Sequence, residues 1–253
     1  MDLTIVGSGT AVPEGDRVCS SYYAEEGDLR LLLDCGPGAL HHLARFGLPW
    51  HRLSHLVVSH FHTDHIGGLP ILFFALRYGL AASRTDAITV LGPAGTAERL
   101  ERMADAFGAY LRDPGFPLTI REIAPGEMLE LPGRVRLRAW KTPHTPESLA
   151  YRLEAGPASL GYTGDTGYDD GLAGWFEGVD TLLTECSLPD ELAMDTHMTP
   201  SRVLALAERA RPRRLVLTHV YPQLDRDTLA DWIREGGWGG ETLVAVDGMR
   251  LVL

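Results

Sequence analysis

Ser59-His60-Phe61-His62-Thr63-Asp64-His65-Ile66-Gly67-Gly68-Leu69-Pro70 places three imidazoles and one carboxylate within six consecutive positions. The stretch follows an apolar run, His55-Leu56-Val57-Val58-Ser59, that reads as a short strand. His60 and His62 are two apart, so in an extended chain they point the same way. Asp64 and His65 are adjacent and diverge unless the chain turns. Gly67-Gly68, just behind them, supply freedom to turn. The spacing therefore offers a pair of imidazoles to one metal ion, and a carboxylate with an imidazole to a second ion close by. These donors suit two Zn2+ ions, and Mn2+ or Fe2+ would also be served by them.

Two coordination spheres need further donors. His144 lies in Thr142-Pro143-His144-Thr145-Pro146, where flanking prolines favour an extended loop. Asp165 follows the run ending at Thr163-Gly164, and His219 ends the run Arg214-Leu215-Val216-Leu217-Thr218. Ser59-His60, Thr163-Gly164-Asp165 and Thr218-His219 share one layout, a short apolar strand followed at once by a potential ligand. A rigid strand delivering a side chain to a loop is how α/β scaffolds present chemistry. With the first cluster, His144, Asp165 and His219 complete two spheres that share one carboxylate. His41, His42, His51 and His55 sit on a helical stretch, in a loop or at a strand start, and read as surface or structural.

Outward from this segment, strand-like runs occupy 3–7, 29–34, 55–59, 88–91, 118–123, 135–140, 149–153, 159–163, 181–184, 215–218, 242–245 and 249–253. Helix-like runs cover 38–46, 69–80, 94–107, 199–209 and 226–235, with Thr199 placed to cap and Pro200 at the first helical position. Strands come first and dominate the middle, with helices interspersed. That order suggests two packed sheets with helices outside. No linker or low-complexity segment interrupts the chain, so 1–253 reads as one α/β domain.

Bulk properties narrow the partners. The 253 residues carry a net charge of −11, which disfavours a protein that neutralises many phosphates of a large nucleic acid. Arginine greatly outnumbers lysine, Lys141 being the only lysine. The three cysteines, Cys19, Cys35 and Cys186, are odd in number and widely spaced. They read as buried reduced thiols rather than a disulfide framework or a thiolate zinc site. No apolar run reaches the ~18–20 residues of a membrane span. The N-terminus lacks a basic segment and long apolar core, so a cytoplasmic protein with no membrane partner is expected.

His60-x-His62-x-Asp64-His65, followed in order by His144, Asp165 and His219, resembles the metallo-β-lactamase superfamily over essentially the whole chain. The resemblance is to its ribonuclease Z branch. It rests also on Gly7-Ser8-Gly9-Thr10-Ala11-Val12-Pro13, Ser20-Ser21-Tyr22, Leu33-Asp34-Cys35-Gly36, Gly164-Asp165-Thr166, Glu185, His197-Met198-Thr199 and Leu217-Thr218-His219.

The resemblance implies an αββα sandwich of two mixed β-sheets flanked by helices, with a dimetal site at one edge. It implies that His60, His62 and His144 hold one metal, that Asp64, His65 and His219 hold the other, and that Asp165 bridges. Glu185 and His197 fall where the branch has an acid–histidine pair that assists phosphodiester cleavage, and Asp34 falls where it could support a metal-bound histidine. One departure matters. Members that process tRNA carry a long arm between the ligands matching His144 and Asp165, whereas only 20 residues intervene here and two strands need them. The expected enzyme is therefore a binuclear phosphodiesterase acting on a small or short phosphodiester, with tRNA a disfavoured partner. The alternatives are tRNA 3′-processing, or hydrolysis of a lactone, thioester or sulfate ester on the same metals. Relatives are commonly homodimers, and a homodimer is expected by that resemblance.

Overall fold

The computed structural model describes residues 1–253. Two seven-stranded mixed sheets pack face to face. The first contains β1 (Asp2–Gly7), β2 (Ser21–Glu26), β3 (Leu29–Leu33), β4 (His55–Val57), β5 (Ile88–Gly92) and β6 (Leu118–Glu122), in that spatial order. The second contains β7 (Met128–Leu131), β8 (Val135–Lys141), β9 (Leu149–Ala155), β10 (Ala158–Tyr162), β11 (Thr181–Glu185), β12 (Arg214–Thr218) and β13 (Glu241–Val244), also in chain order. The last strand, β14 (Arg250–Val252), returns to the first sheet and pairs with β1. Each sheet has three antiparallel pairings and then three parallel ones.

The alternation of side chains along the strands builds the layers. Leu31 and Leu33 face the core between the sheets, while Leu32 faces α1 (Ala39–Arg45), α3 (Leu69–Tyr78) and α4 (Thr96–Phe107). In β12, Val216 faces the intersheet core, while Leu215 and Leu217 face the other way. That outer core includes residues of α5 (Asp170–Trp175), α6 (Pro200–Ala210) and α7 (Arg226–Glu235). Strands apolar on both faces require cover on both faces, which gives helix, sheet, sheet, helix. This is the expected αββα sandwich.

Three buried tyrosines stitch the sheets together near one edge. Tyr162 donates to Asp34 Oδ2 across the interface at 2.6 Å, and Tyr151 donates to the Val58 carbonyl at 2.7 Å. The Tyr22 and Thr218 hydroxyls lie 2.9 Å apart, and the Tyr22 and Tyr162 rings meet at 5.0 Å. A buried phenol brings apolar area to a core but needs a partner for its hydroxyl. Here each partner is on, or just beyond, a strand of the opposite sheet.

Several local expectations differ from the structure. Strands β2 and β7 and helix α5 arise where no element is expected, and a short helix α2 (Thr63–Ile66) forms inside the histidine motif. Thr199 occupies the N-cap position of α6 with Pro200 behind it, but its side chain makes no capping bond. Gly67 and Gly68 have ordinary helical dihedrals rather than the left-handed ones that glycine permits. Their use is close approach: a Cβ on Gly68 would lie 2.4 Å from the Gly36 carbonyl oxygen. Cys35 and Cys186 are buried, whereas Cys19 is only half-buried. His42 and His55 are buried, and His42 binds Asp247 and the Val6 carbonyl, a structural role. No helix is long and apolar enough to cross a membrane.

Candidate metal centre

The parallel strands β3, β4, β10, β11 and β12 all end at one edge. Each hands over a polar residue there: Asp34, Ser59-His60, Asp165, Glu185 and His219. His62 stands extended at the start of α2, and that helical turn carries Asp64 and His65 on successive positions. His144 comes from the loop between β8 and β9, and His197 from the loop before α6.

These elements bring together all nine residues singled out in the sequence. Donor atoms of His60, His62, His144 and Asp165 lie within 4.8 Å of one another, as do those of Asp64, His65 and His219. A third group, Asp165, Glu185 and His197, adjoins both. Within the first group, His62 Nδ1 sits 3.1 Å from His60 Nε2 and 3.1 Å from His144 Nε2. In the second, His219 Nε2 is 3.3 Å from Asp64 Oδ2. Asp165 stands between them: its Oδ1 is 3.3 Å from His65 Nε2, and its Oδ2 is 3.8 Å from His60 Nε2 and 3.7 Å from His219 Nε2. His60, His65, Asp165 and His219 are buried, while His62 is exposed, so the centre opens to solvent on the His62 side.

The donor set fits cations. His65 Nε2 is buried and makes no hydrogen bond. An imidazole nitrogen without a partner in a dry site is costly unless a positive ligand meets it. The outer nitrogens of four rings are also spoken for. His65 Nδ1 bonds Asp34 Oδ2 at 2.7 Å, and His144 Nδ1 bonds the Thr196 carbonyl at 2.9 Å. His60 Nδ1 meets Ser59 Oγ and His219 Nδ1 meets Ser187 Oγ, each at 3.0 Å. A proton held on Nδ1 leaves the Nε2 lone pair facing inward, as a metal-ligating histidine requires.

Electrostatics agree. Burial alone would lower the pKa of His65, but the charge of the nearby Asp165 and the charge and hydrogen bond of Asp34 outweigh it and hold the pKa well above the usual value. The field that favours a proton there favours a divalent cation too. Burial lowers the pKa of His60 and of His144, keeping both neutral. Burial would raise the Asp165 carboxyl, but His219 and His65 hold it well below the usual range. His197 differs. Burial pulls its pKa down, yet the hydrogen bond and charge of Glu185 outweigh this and lift it to about 9. His197 Nδ1 lies 3.0 and 3.1 Å from the two Glu185 oxygens.

Four supporting groups had no functional reading from sequence. Ser59 and Ser187 hold His60 and His219, Thr196 offers only its carbonyl, and the Thr166 amide donates to Glu185 Oε1 at 2.6 Å. A signal existed for the serines, each lying next to or two places from a named site residue. None exists for a backbone carbonyl. Asp34 is the hub of the first sheet's side. It accepts from His65, from the Ser59 amide and hydroxyl, and from Tyr162. Asp34 and His219 are both left-handed, with φ of 54° and 52°, a conformation that costs a non-glycine residue about 1–2 kcal/mol. At both positions the strain accompanies a sharp turn straight off a strand end into the site.

The fold and the paired His/Asp clusters define a metal-dependent hydrolase, and the chain belongs to the metallo-β-lactamase superfamily. The profile of the β-lactamase superfamily domain matches residues 29–220. Within the superfamily its relatives are of the ribonuclease Z kind. A ribonuclease Z of Halorubrum lacusprofundi is 30% identical over 303 aligned positions, covering 97% of this chain and 95% of the relative. That alignment is longer than the chain, so the relative carries segments with no counterpart here. The metallo-β-lactamase fold protein YhfI from Bacillus subtilis superposes with a TM-score of 0.86 at 24% identity, covering 99% of this chain and 98% of YhfI. The short form of human tRNase Z (ELAC1) superposes with a TM-score of 0.79 at 23% identity, covering 100% of this chain and 99% of that one.

Proposed function

We propose that this protein is a binuclear zinc phosphodiesterase acting on a small or short phosphodiester. The observation that carries the reading is the Glu185–His197 pair beside the two clusters. A carboxylate that keeps an imidazole protonated, next to a cation site, suits expulsion of an alkoxide from phosphorus. In this reading His60, His62, His144 and Asp165 hold one ion, and Asp64, His65 and His219, with Asp165 shared, hold the other. Imidazole and carboxylate without thiolate suit zinc.

Bound there, two divalent ions supply Lewis-acid stabilisation of the phosphoryl oxygens and lower the pKa of a water to about 7. The protein's own groups do the rest. Asp165, ionised at neutral pH, turns Oδ1 toward His65 and Oδ2 toward His60, His144 and His219, so its carboxylate faces both clusters. Glu185 bonds His197 Nδ1, so the imidazolium presents its Nε2–H as the free donor. That proton stabilises charge on a phosphoryl oxygen, or passes to the leaving oxygen as its bond to phosphorus breaks. The neutral imidazole is then re-protonated from solvent, since the Glu185 carboxylate favours the cation.

The short-substrate preference rests on the segment between His144 and Asp165. β9 and β10 join through a two-residue turn at Gly156-Pro157, and together they leave nothing to extend as an arm. The tRNA reading is favoured by the ribonuclease Z relatives, and one experiment separates the two. The zinc-loaded protein should hydrolyse bis(p-nitrophenyl) phosphate and dinucleotides, leaving an unmodified precursor tRNA largely intact at physiological salt. Efficient, salt-sensitive cleavage of the precursor at its 3′ end would overturn the substrate assignment. Faster turnover of chromogenic lactones, thioesters or sulfate esters than of any phosphodiester would overturn the reaction class.

A further inference from the structure

We propose that Ser187 is a positioning residue that fixes the ring of His219 for metal binding and ties it to the Glu185–His197 pair. The inference rests on the reading of His219 as a ligand. Ser187 is fully buried. Its Oγ has three neighbours: Glu185 Oε2, the His219 carbonyl at 3.0 Å and His219 Nδ1 at 3.0 Å. A serine hydroxyl has one proton to give and two lone pairs to accept with. The carboxylate and the carbonyl can only accept, so the serine proton goes to one of them. Nδ1 must then carry its own hydrogen and donate it to Oγ. The other tautomer would aim three acceptors at one proton in a dry site, which costs a lost hydrogen bond and an unsatisfied buried group. The hydroxyl thus selects the tautomer whose Nε2 lone pair faces Asp64 and Asp165.

The backbone of Ser187 is pinned to both loops it serves. Its amide donates to the Met198 carbonyl at 3.0 Å, next to His197, and its carbonyl accepts from the Tyr221 amide at 3.2 Å, two residues past His219. The first sheet repeats the same string of groups. Ser59 Oγ donates to Asp34 Oδ2 at 2.6 Å and meets His60 Nδ1 at 3.0 Å. Carboxylate, serine and histidine therefore stand in the same order on both sides of the centre. On the second side the carboxylate is also the partner of His197.

The test compares wild type, Ser187→Ala and Ser187→Thr as zinc-loaded proteins. Each is titrated against a competing chelator, with bound zinc measured by mass spectrometry and folding followed by circular dichroism. Ser187→Ala should release one of its two ions at roughly 10–100-fold lower chelator strength while the other stays as tightly held as in wild type. Ser187→Thr, which keeps the hydroxyl, should restore the second ion. A folded Ser187→Ala that holds both ions as wild type does overturns the inference. So does loss of both ions together, or failure of a folded Ser187→Thr to recover the second. A wild-type chain that cannot bind two ions overturns the metal reading itself, a separate result.

Discussion

Replacing Asp165 with alanine should lower turnover of the proposed phosphodiester substrate by at least about a thousandfold, equivalent to ~4 kcal/mol of transition-state stabilisation, and should leave the chain unable to hold two ions at once. The size follows from where this carboxylate stands. Its two oxygens lie 3.3 Å from His65 Nε2 and 3.7–3.8 Å from the inner nitrogens of His60, His144 and His219. No other carboxylate makes close contacts with imidazoles of both clusters. Losing one imidazole weakens one site, whereas losing Asp165 removes the only negative charge shared by both. Removing a buried charged partner also destabilises folds, by ~3–5 kcal/mol in typical cases. Asp165→Asn, which keeps the volume and one oxygen, therefore accompanies it. Zinc content and turnover should fall in both variants. A folded Asp165→Asn with two tightly held ions and near-normal turnover would show that Asp165 does not bridge.

His197→Ala should cost 10²–10⁴-fold in kcat, the usual worth of a positioned acid, with zinc content unchanged. Its neighbour supplies the sign of a pH effect. Glu185 lifts the His197 pKa to about 9 against the pull of burial, and nearby divalent ions bring it down from there. The protonated form acts, so the rate should fall as pH rises through that pKa, on a limb at or below about pH 9. In Glu185→Gln the lifting charge is gone and burial is left to lower the pKa. The limb should move to lower pH by at least about one unit, with activity partly recovered on acidification. An unmoved limb in Glu185→Gln, or equal loss of zinc and turnover in His197→Ala, would remove His197 from the role of acid.

The fold and the clustering of the histidines and aspartates were legible for the same reason. The strands that carry the site are apolar on both faces, so Leu29–Leu33, Leu215–Thr218 and their like stand out from polar loops, and the histidines sit at their ends. The strands that were not legible are of another kind. Ser21–Glu26 ends in two glutamates and starts with serine, and its stability comes from pairing on both sides with β1 and β3. Met128–Leu131 is four residues long and pairs only with β8. Helix α5 contains Gly171 and Gly174, poor helix formers, and relies on Asp169 capping the Leu172 amide and on burial of Leu172 and Ala173. The turn at Thr63–Ile66 is too short to leave a period, yet it solves the problem of adjacent Asp64 and His65. The groups that bond the outer nitrogens of the clustered histidines were the least visible. Ser59, Ser187 and the Thr196 carbonyl act through proton placement, which depends on what each faces and leaves no mark on spacing.

The tyrosine stitches between the sheets have one more implication. His60, His62, Asp64 and His65 belong to the first half of the chain, whereas His144, Asp165 and His219 belong to the second. Neither half owns a finished coordination sphere, since each ion in the proposed scheme draws on donors from both. The centre is therefore a joint, and ions seated in it are crosslinks between two lobes that Tyr22, Tyr151 and Tyr162 already hold in register. Loosening that seam would separate the donors of both ions in the proposed scheme, so metal affinity would gauge how well the two lobes are mated.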